Sequence, residues 1–335
     1  VLLNSKLHRV ICIDSLTYAG NRANLNQFRN NKELEFVKTD INNQRRVLDL
    51  LKKYKPRLII NFAAETHVDK SIGNPKVFFE TNVMGTLSLL EATKEYWYSI
   101  KSRKDNFRFI HISTDEVYGS LRPSSKSFTE ESKFFPNSPY AASKASSDHI
   151  VRSFYKTYGL PSIISNCSNN YGPYQYPEKL IPLSIFSLLT EKKIPIYGKG
   201  NQIRDWIHVS DHCNAIMRLM DKGLPGQTYN ICSSNQFTNL EVMKHVFNAF
   251  KKTKYLTSLS SFEESLEYVK DRPGHDFRYS LSNKKILKLG WKPEMTFSKG
   301  IKDTVNWYLE NVDWVKKVTD KSFQNWLNLN YIKRK

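Results

Sequence analysis

The sequence predicts an α/β protein: a doubly wound parallel sheet over most of residues 1–168, followed by a smaller C-terminal α/β domain over residues 169–335. Two observations predict this. Short runs rich in β-branched and aromatic residues alternate with segments of helical period, and parallel neighbours need such crossovers. After Asn169 the texture changes to Pro- and Tyr-rich segments and then a long lysine-rich tail.

In chain order, the strand candidates of the first part are 10–14, 34–38, 58–62, 107–112 and 162–165. Helical patterns lie between them at 43–54, at 75–98 with Pro75 suited to a first turn, and at 140–158, where Gly159 and Pro161 stop it. The opening Val1–Lys6 reads as the end of a helix. Beyond Asn169 the pattern predicts a helix near 182–192 and a short strand at 195–197. Segment 205–234 contains another helix and the strand-like 228–232, so the chain is expected to return to the main sheet there.

The 335 residues carry 51 Lys and Arg against 32 Asp and Glu, a formal charge of +19. The basic residues are scattered among acids, and only Lys333-Arg334-Lys335 form a run, so solvated faces account for them better than a nucleic-acid surface. Cys12, Cys167, Cys213 and Cys232 form no CxxC pair and read as reduced core thiols, which suits a cytoplasmic setting. No stretch approaches the roughly 18–20 apolar residues of a membrane helix, and Val1-Leu-Leu3 is too short for a signal peptide. No metal-ligand pattern stands out.

The chemistry is concentrated after the fourth strand. Thr114, Asp115 and Glu116 follow Ser113, and Tyr140 and Lys144 follow in turn. These groups emerge at the carboxyl end of a buried strand, where open α/β sheets bind ligands. Tyr140 and Lys144, four apart on a helix, share a face, so the ammonium is expected to lower the phenol's pKa toward working pH. The bland alternative is an amphipathic helix with a chance Tyr and Lys. Asp115 and Glu116 can take opposite roles only if the chain bends after Ser113 and their surroundings push their pKa values apart. Solvated loop acids are the alternative.

Asp14 ends the first strand, where a Rossmann-type carboxylate would hydrogen-bond an adenosine ribose and select NAD. A simple turn former reads the same way. Asp40-Ile41 after the second strand and Ala63-Ala64 after the third strengthen the ligand reading, because small residues let a flat ligand approach the sheet. A glycine-rich phosphate loop belongs about 20 residues before such a carboxylate, and only 13 residues precede Asp14. The loop is therefore expected to lie outside this sequence, or the cofactor site to be incomplete.

Seven ordered blocks carry a resemblance: Asp14-Ser-Leu-Thr-Tyr-Ala-Gly20, Ala63-Ala-Glu-Thr-His-Val-Asp69, Ser113-Thr-Asp-Glu-Val-Tyr-Gly119, Asn169-Asn-Tyr-Gly-Pro173, Pro177-Glu-Lys-Leu-Ile-Pro182, Arg204-Asp-Trp206 and Asp271-Arg-Pro-Gly-His275. Together they resemble the nucleotide-sugar branch of the extended short-chain dehydrogenase/reductase family, and within it the 4,6-dehydratases. The Thr-Asp-Glu triplet argues against an epimerase, which has no hydroxyl to expel.

The resemblance implies an NAD-dependent dehydration of a nucleoside-diphosphate glucose, dTDP-glucose first, to its 4-keto-6-deoxy product, a precursor of deoxysugars such as rhamnose. It implies Tyr140 as base at O4, Glu116 as base at C5, Asp115 as acid toward the C6 hydroxyl and Thr114 holding O4, with Lys144 beside the phenol. The cofactor set it implies is Asp14, Ser15, Leu16, Thr17, Asp40, Ile41, Phe62, Ala63, Ala64, Thr81, Tyr140, Lys144 and Asn170. The substrate set is Thr66, Thr114, Asn169, Lys179, Leu180, Pro195, Tyr197, Arg204, Asn239, Arg272 and His275, with Arg204 and Arg272 as phosphate cations.

A homodimer through the helices at 75–98 and 140–158 is implied as well, with Phe78, Phe79, Phe154 and Tyr155 as candidate contacts. Alternatives at this stage are a uridine nucleotide, which differs by one methyl group worth only ~1 kcal/mol of burial, a same-fold epimerase or decarboxylase, a nucleotide-sugar-binding protein without activity and, last, a nucleic-acid binder.

Overall fold

The computed structural model describes residues 1–5, 8–100, 106–255 and 258–332. The basic run 333–335 lies outside them, as does Lys6 of the expected helix end. The residues before it make one turn, closed by Ser5 N–H donating to the Val1 carbonyl at 3.1 Å.

Strand β1 (Val10–Asp14) pairs in parallel with β2 (Leu34–Lys38). Strands β3 (Leu58–Asn61), β4 (Arg108–Thr114), β5 (Ser162–Cys167) and β9 (Thr228–Ile231) form a second parallel sheet in the order β3-β4-β5-β9. The chain thus returns to the sheet at 228–231, as its pattern implied. Both faces of this sheet are covered, which is why its strands read as continuous apolar runs. Phe109 and Ile164 point into one core with Val47 and Leu51 of α1 (Gln44–Tyr54) and Leu89 and Leu90 from the helix after 84. Their neighbours Ile110 and Ile163 point into the other, with Ala215, Leu219, Trp291, and Tyr229 and Ile231 of β9. Successive strand residues serving opposite cores is the period of two at work.

Helices α2 (Val68–Gly73) and α3 (Pro75–Phe78) lead through a π-type turn at Phe79–Met84 into α4 (Gly85–Ser99), so the predicted helix at 75–98 is continuous, with a wider turn in its first half. That turn aims Asn82 inward, where it bonds Glu65 N–H at 2.8 Å and Ser143 Oγ at 2.8 Å and ties the loop after β3 to α5 (Pro139–Tyr158).

Strand β6 (Asn169–Tyr171) pairs with β8 (Ile203–His208), and β10 (Gln236–Thr238) joins β8 on its other side. Strand β7 (Ile194–Tyr197) pairs with β11 (Leu266–Val269). The predicted helix near 182–192 is α6 (Leu180–Leu189), ending earlier because Glu191 takes a positive φ. Helix α7 (Val209–Lys222) backs β9. Helices α8 (Asn239–Lys251), α9 (Lys284–Leu287), α10 (Phe297–Glu310), α11 (Val312–Val318) and α12 (Lys321–Leu327) follow. A third core gathers Ile181, Ile194, Trp206, Val246, Phe297 and Phe323, all from the C-terminal half. Among the described residues no helix is long and apolar enough to cross a membrane.

Candidate active site

Strand β4 delivers the acids. It ends at Thr114, whose Oγ1 accepts from Glu116 N–H at 3.3 Å and caps a 3₁₀ turn over Asp115–Tyr118. The bend the acids need therefore falls one residue later than expected, after Thr114. Their surroundings differ. Asp115 is buried, one carboxylate oxygen accepts from Thr114 Oγ1 at 3.2 Å, and the other has no partner. Burial first and Glu116 second push its pKa well up, which favours the protonated acid. Burial raises Glu116 as well, with Arg272, Arg204 and Lys179 opposing it, so both acids are pushed up and Asp115 the further. The difference runs in the direction that opposite roles need.

Helix α5 starts at Ser138, whose side chain accepts from Ala141 N–H at 3.1 Å, with Pro139 in the first turn. Tyr140 and Lys144 lie on its buried face. The expectation that Lys144 lowers the phenol's pKa is corrected here. Burial, then Glu116 and Cys167, push Tyr140 well up, while a hydrogen bond with Thr114 works the other way. The reason is geometric: Lys144 Nζ donates to the Ile112 carbonyl at 2.7 Å.

The residues expected at a cofactor lie along the carboxyl ends of β1, β2 and β3. Asp14 Oδ1 accepts from Leu16 N–H at 2.6 Å, and Leu16 takes φ +53° in the loop that holds Ser15 and Thr17. Asp40 Oδ1 accepts from Asn42 N–H at 2.7 Å, and Ile41 packs at the start of α4 against Gly85. Phe62 is 58 % exposed just beyond β3, followed by Ala63 and Ala64, and Thr81 sits in the π-type turn. Asn170 is engaged internally: its amide nitrogen bonds the Ser168 carbonyl at 3.1 Å and its oxygen meets His212 Nδ1 at 2.8 Å. A carboxylate for ribose hydroxyls, small alanines under the strand ends and an exposed aromatic edge suit a dinucleotide.

Next to Glu116 opens a cleft with about 930 Å³ of space, part of it open to solvent. Thr66, Asn169, Lys179, Leu180, Pro195, Tyr197, Arg204, Asn239, Arg272 and His275 line it, drawn from segments far apart in sequence. Thr114, Asp115, Tyr140 and Lys144 are not on its wall. Lys179 Nζ donates to the Thr66 carbonyl at 2.7 Å, and Tyr197 donates to Asp69 Oδ2 at 3.2 Å. The two arginines differ. Arg204 donates to the carbonyls of Ile203, Asp276 and Phe277 and lies over the Tyr279 ring, so much of its hydrogen-bonding capacity is spent on the fold. Arg272 keeps a buried Nε without a partner, 3.8 Å separates its Nη1 from Asp69, and Asn169 Oδ1 is likewise unpartnered. Unpaired buried donors and acceptors beside a cleft suit a polar ligand. Asn239 Nδ2 reaches Gln202 Oε1 at 3.5 Å, and His275 Nδ1 meets Asp271 at 2.6 Å.

Sequence reasoning assigned no role to Asp69 or Tyr331, which also line this cleft. Tyr331 stacks on Tyr197 with ring centroids 5.4 Å apart. Its distance along the chain left no local signal. Among the described residues, no group of three or more His, Cys, Asp or Glu is placed to hold a metal ion.

A Thr-Asp-Glu turn and a Tyr-Lys helix at the carboxyl end of a doubly wound parallel sheet define a short-chain dehydrogenase/reductase of the extended, nucleotide-sugar type. Comparison with known proteins agrees. The family described as GDP-mannose 4,6 dehydratase matches residues 1–304. The dTDP-glucose 4,6-dehydratase of Xanthomonas campestris pv. campestris is 49% identical over 318 residues, covering 94% of this chain and 90% of that protein. That of Escherichia coli K12, dTDP-glucose 4,6-dehydratase 1, is 45% identical over 98% of this chain and 94% of its own.

Among solved structures, the dTDP-glucose 4,6-dehydratase of Streptomyces venezuelae, crystallised with NAD, matches with a TM-score of 0.84 at 43% identity, covering 92% of this chain and 90% of that one. A UDP-glucose 4-epimerase of Thermus thermophilus matches at 0.79 but with only 26% identity, over 92% of this chain and 94% of that one. The chain belongs to the dTDP-glucose 4,6-dehydratase family.

Proposed function

We propose that this chain is an NAD-dependent hydro-lyase that converts dTDP-glucose to dTDP-4-keto-6-deoxyglucose. The observation that carries the reading is the Asp115–Glu116 pair, Asp115 pushed further toward its protonated form than Glu116, which three cations oppose, beside a cleft that holds Arg272 with an unpaired donor. Tyr140 takes the proton from O4 of the sugar, with Thr114 holding that oxygen. Glu116 removes the C5 proton, made acidic by the 4-keto group, and returns a proton to C5 once C6 is reduced. Asp115 protonates the departing C6 hydroxyl as water leaves.

Bound NAD would take the C4 hydride, return it to C6, and bring positive charge to the phenol that burial otherwise keeps neutral. Asp14, Ser15, Leu16, Thr17, Asp40, Ile41, Phe62, Ala63, Ala64 and Thr81 would hold it, with Lys144 and Asn170. Arg272 and Arg204 would meet the diphosphate, Lys179, Leu180, Pro195 and Tyr197 the base, Thr66 the sugar, and Asn169, Asn239 and His275 the remaining contacts. An epimerase reading is disfavoured because inversion at one carbon gives Asp115 no hydroxyl to expel.

The same proposal divides the chain into a cofactor part, 1–168 with a return around 205–234, and a mainly substrate-binding part, 169–335. It places the enzyme in the cytoplasm, in keeping with four free cysteines, of which Cys167 and Cys232 are buried as expected while Cys12 and Cys213 are only partly so, and its product upstream of deoxysugars such as rhamnose. It includes a homodimer through α3, α4 and α5. Of the four aromatic contacts expected there, Phe78 and Phe154 are buried in the cores of this chain and so are not free for a partner, Tyr155 is half-buried and Phe79 is exposed, next to exposed Val77 and Met84. Sedimentation as a monomer at micromolar concentration would remove the dimer. Incubation with NAD and dTDP-glucose, followed by the alkali-induced absorbance of the 4-keto-6-deoxy product, tests the reaction. No product from folded, NAD-bound protein would defeat it, and faster turnover of UDP-glucose would move the specificity.

A further inference from the structure

Behind Lys144 lies a buried polar chain to which the reaction above gives no part. Tyr140, Lys144 and Asp148 stand at intervals of four on α5 and share its buried face. Asp148 is 2 % exposed and His111, on β4, 0 %. One carboxylate oxygen of Asp148, Oδ2, accepts from Ser113 Oγ at 2.9 Å and Asn166 Nδ2 at 3.0 Å. The other, Oδ1, faces His111 Nε2 at 3.5 Å and has no hydrogen-bond partner.

Asn61 sets the tautomer of His111. Its carbonyl accepts from Ala63 N–H at 3.1 Å, which turns its amide nitrogen toward His111 Nδ1 at 3.2 Å. Nδ1 is then the acceptor, and the neutral ring carries its proton on Nε2, facing Asp148 and Ser147 Oγ. Burial holds this ring neutral. Lys144 Nζ, 3.4 Å from that same nitrogen, finds no acceptor there and rests on the Ile112 carbonyl.

A buried ammonium needs a compensating charge. The titratable groups acting on Lys144 are Asp148 on its own helix, then Cys167 on β5, whose thiol burial pushes up to about 12 and keeps neutral. His111 on β4 is neutral, and Asn61 on β3 and Asn166 on β5 carry no charge. Asp115 and Glu116, on the 3₁₀ turn, bear on Tyr140.

We propose that Asp148 is a positioning residue of this active centre, its carboxylate supplying the counter-charge, across His111, that keeps the Lys144 ammonium charged and seated on the Ile112 carbonyl. The inference rests on the reaction proposed above, in which Lys144 acts as a cation beside Tyr140.

Asp148→Asn keeps the shape and removes the charge. Its pH profile of kcat is expected to lose activity on the alkaline side at least one pH unit earlier than wild type, because Lys144 gives up its proton sooner. KM for dTDP-glucose is expected to stay within twofold. Asp148→Glu is expected to restore the alkaline limb, and in a Lys144→Arg background, where the guanidinium stays charged, Asp148→Asn is expected to leave that limb unmoved. An alkaline limb coincident with wild type, or an equal shift in the Lys144→Arg background, overturns the inference.

If Asp148→Asn does not fold, Asp148→Ser takes its place: it too removes the charge, the same earlier alkaline loss is expected, and an alkaline limb coincident with wild type overturns the inference. A wild-type chain without turnover defeats the proposed reaction instead, and the Lys144 shift is then read by NMR titration of ¹³C-labelled lysine, where equal Lys144 pKa values in wild type and Asp148→Asn overturn the inference.

Discussion

Replacing Asp115 by Asn separates dehydration from the oxidation that precedes it. Burial and Glu116 already favour the neutral acid at this position, and one oxygen has only Thr114 as partner while the other has none. A neutral amide of the same shape should therefore cost little stability, about 1 kcal/mol or less. The loss falls on chemistry. A positioned general acid contributes about 10²–10⁴ in rate, which is roughly 3–5 kcal/mol of barrier.

The expected result is a fall in kcat of that size with KM nearly unchanged. Glu116 still works in this variant, so deuterium from solvent should enter C5 while the reduced cofactor accumulates, visible by its absorbance. Glu116→Gln is expected to abolish the C5 exchange as well. In wild type the acid role requires a protonated Asp115, the form that burial and Glu116 favour. An Asp115→Asn enzyme that keeps more than about a tenth of wild-type kcat, or that loses C5 exchange as completely as Glu116→Gln, would refute the division of labour between the two acids.

Arg272→Ala removes a buried guanidinium whose Nε lacks a partner beside the cleft, and losing a charge-assisted contact of about 1.5–3 kcal/mol should weaken nucleotide binding roughly 10- to 100-fold by calorimetry. His212 is buried with Nδ1 2.8 Å from Asn170, and burial lowers its pKa from 6.5 to about 4. The unfolded chain thus takes up this proton near pH 6.5 and the folded chain only near 4, so stability is lost as pH falls between them, about 3 kcal/mol in all. Urea denaturation of wild type and His212→Gln at neutral and acid pH should show the variant without this part of the dependence. At Gly226, φ is +79° and a Cβ would overlap the Tyr155 ring, so Gly226→Ala should cost about 2–4 kcal/mol, read as a lowered Tm and partly relieved by Tyr155→Ala.

The parallel sheet was legible because both of its faces are covered. Phe109 and Ile110, or Ile163 and Ile164, must both be apolar when adjacent side chains enter different cores. Strands β6 and β8 escaped for the opposite reason. Asn169-Asn170-Tyr171 carries two amides, and Arg204-Asp205 puts two charged residues in the middle of β8, where the fold buries them. Asp205 accepts from Ser168 and from Ser233 N–H, partners that lie 37 and 28 residues away and leave no pattern in the local sequence. Most of the cleft residues lie in ordered motifs, but Pro195, Tyr197 and Asn239 do not, and neither does Tyr331, which stacks on Tyr197 from near the end of the chain.

Charge states were the least legible part of the site. Spacing of four residues on a helix correctly places Tyr140 and Lys144 on one face, but a shared face does not fix where a flexible ammonium goes. Lys144 is drawn to the Ile112 carbonyl, a partner 32 residues away, and leaves the phenol to burial and to Glu116. Asp115 and Glu116 show the converse. Adjacent in sequence, both are pushed up by burial, but they differ in degree because the 3₁₀ turn brings Glu116 to Lys179, Arg204 and Arg272 from three distant segments, while Asp115 faces inward with Arg204 alone of these acting on it. The identity of an acid is local, but whether it carries its proton is decided by long-range packing.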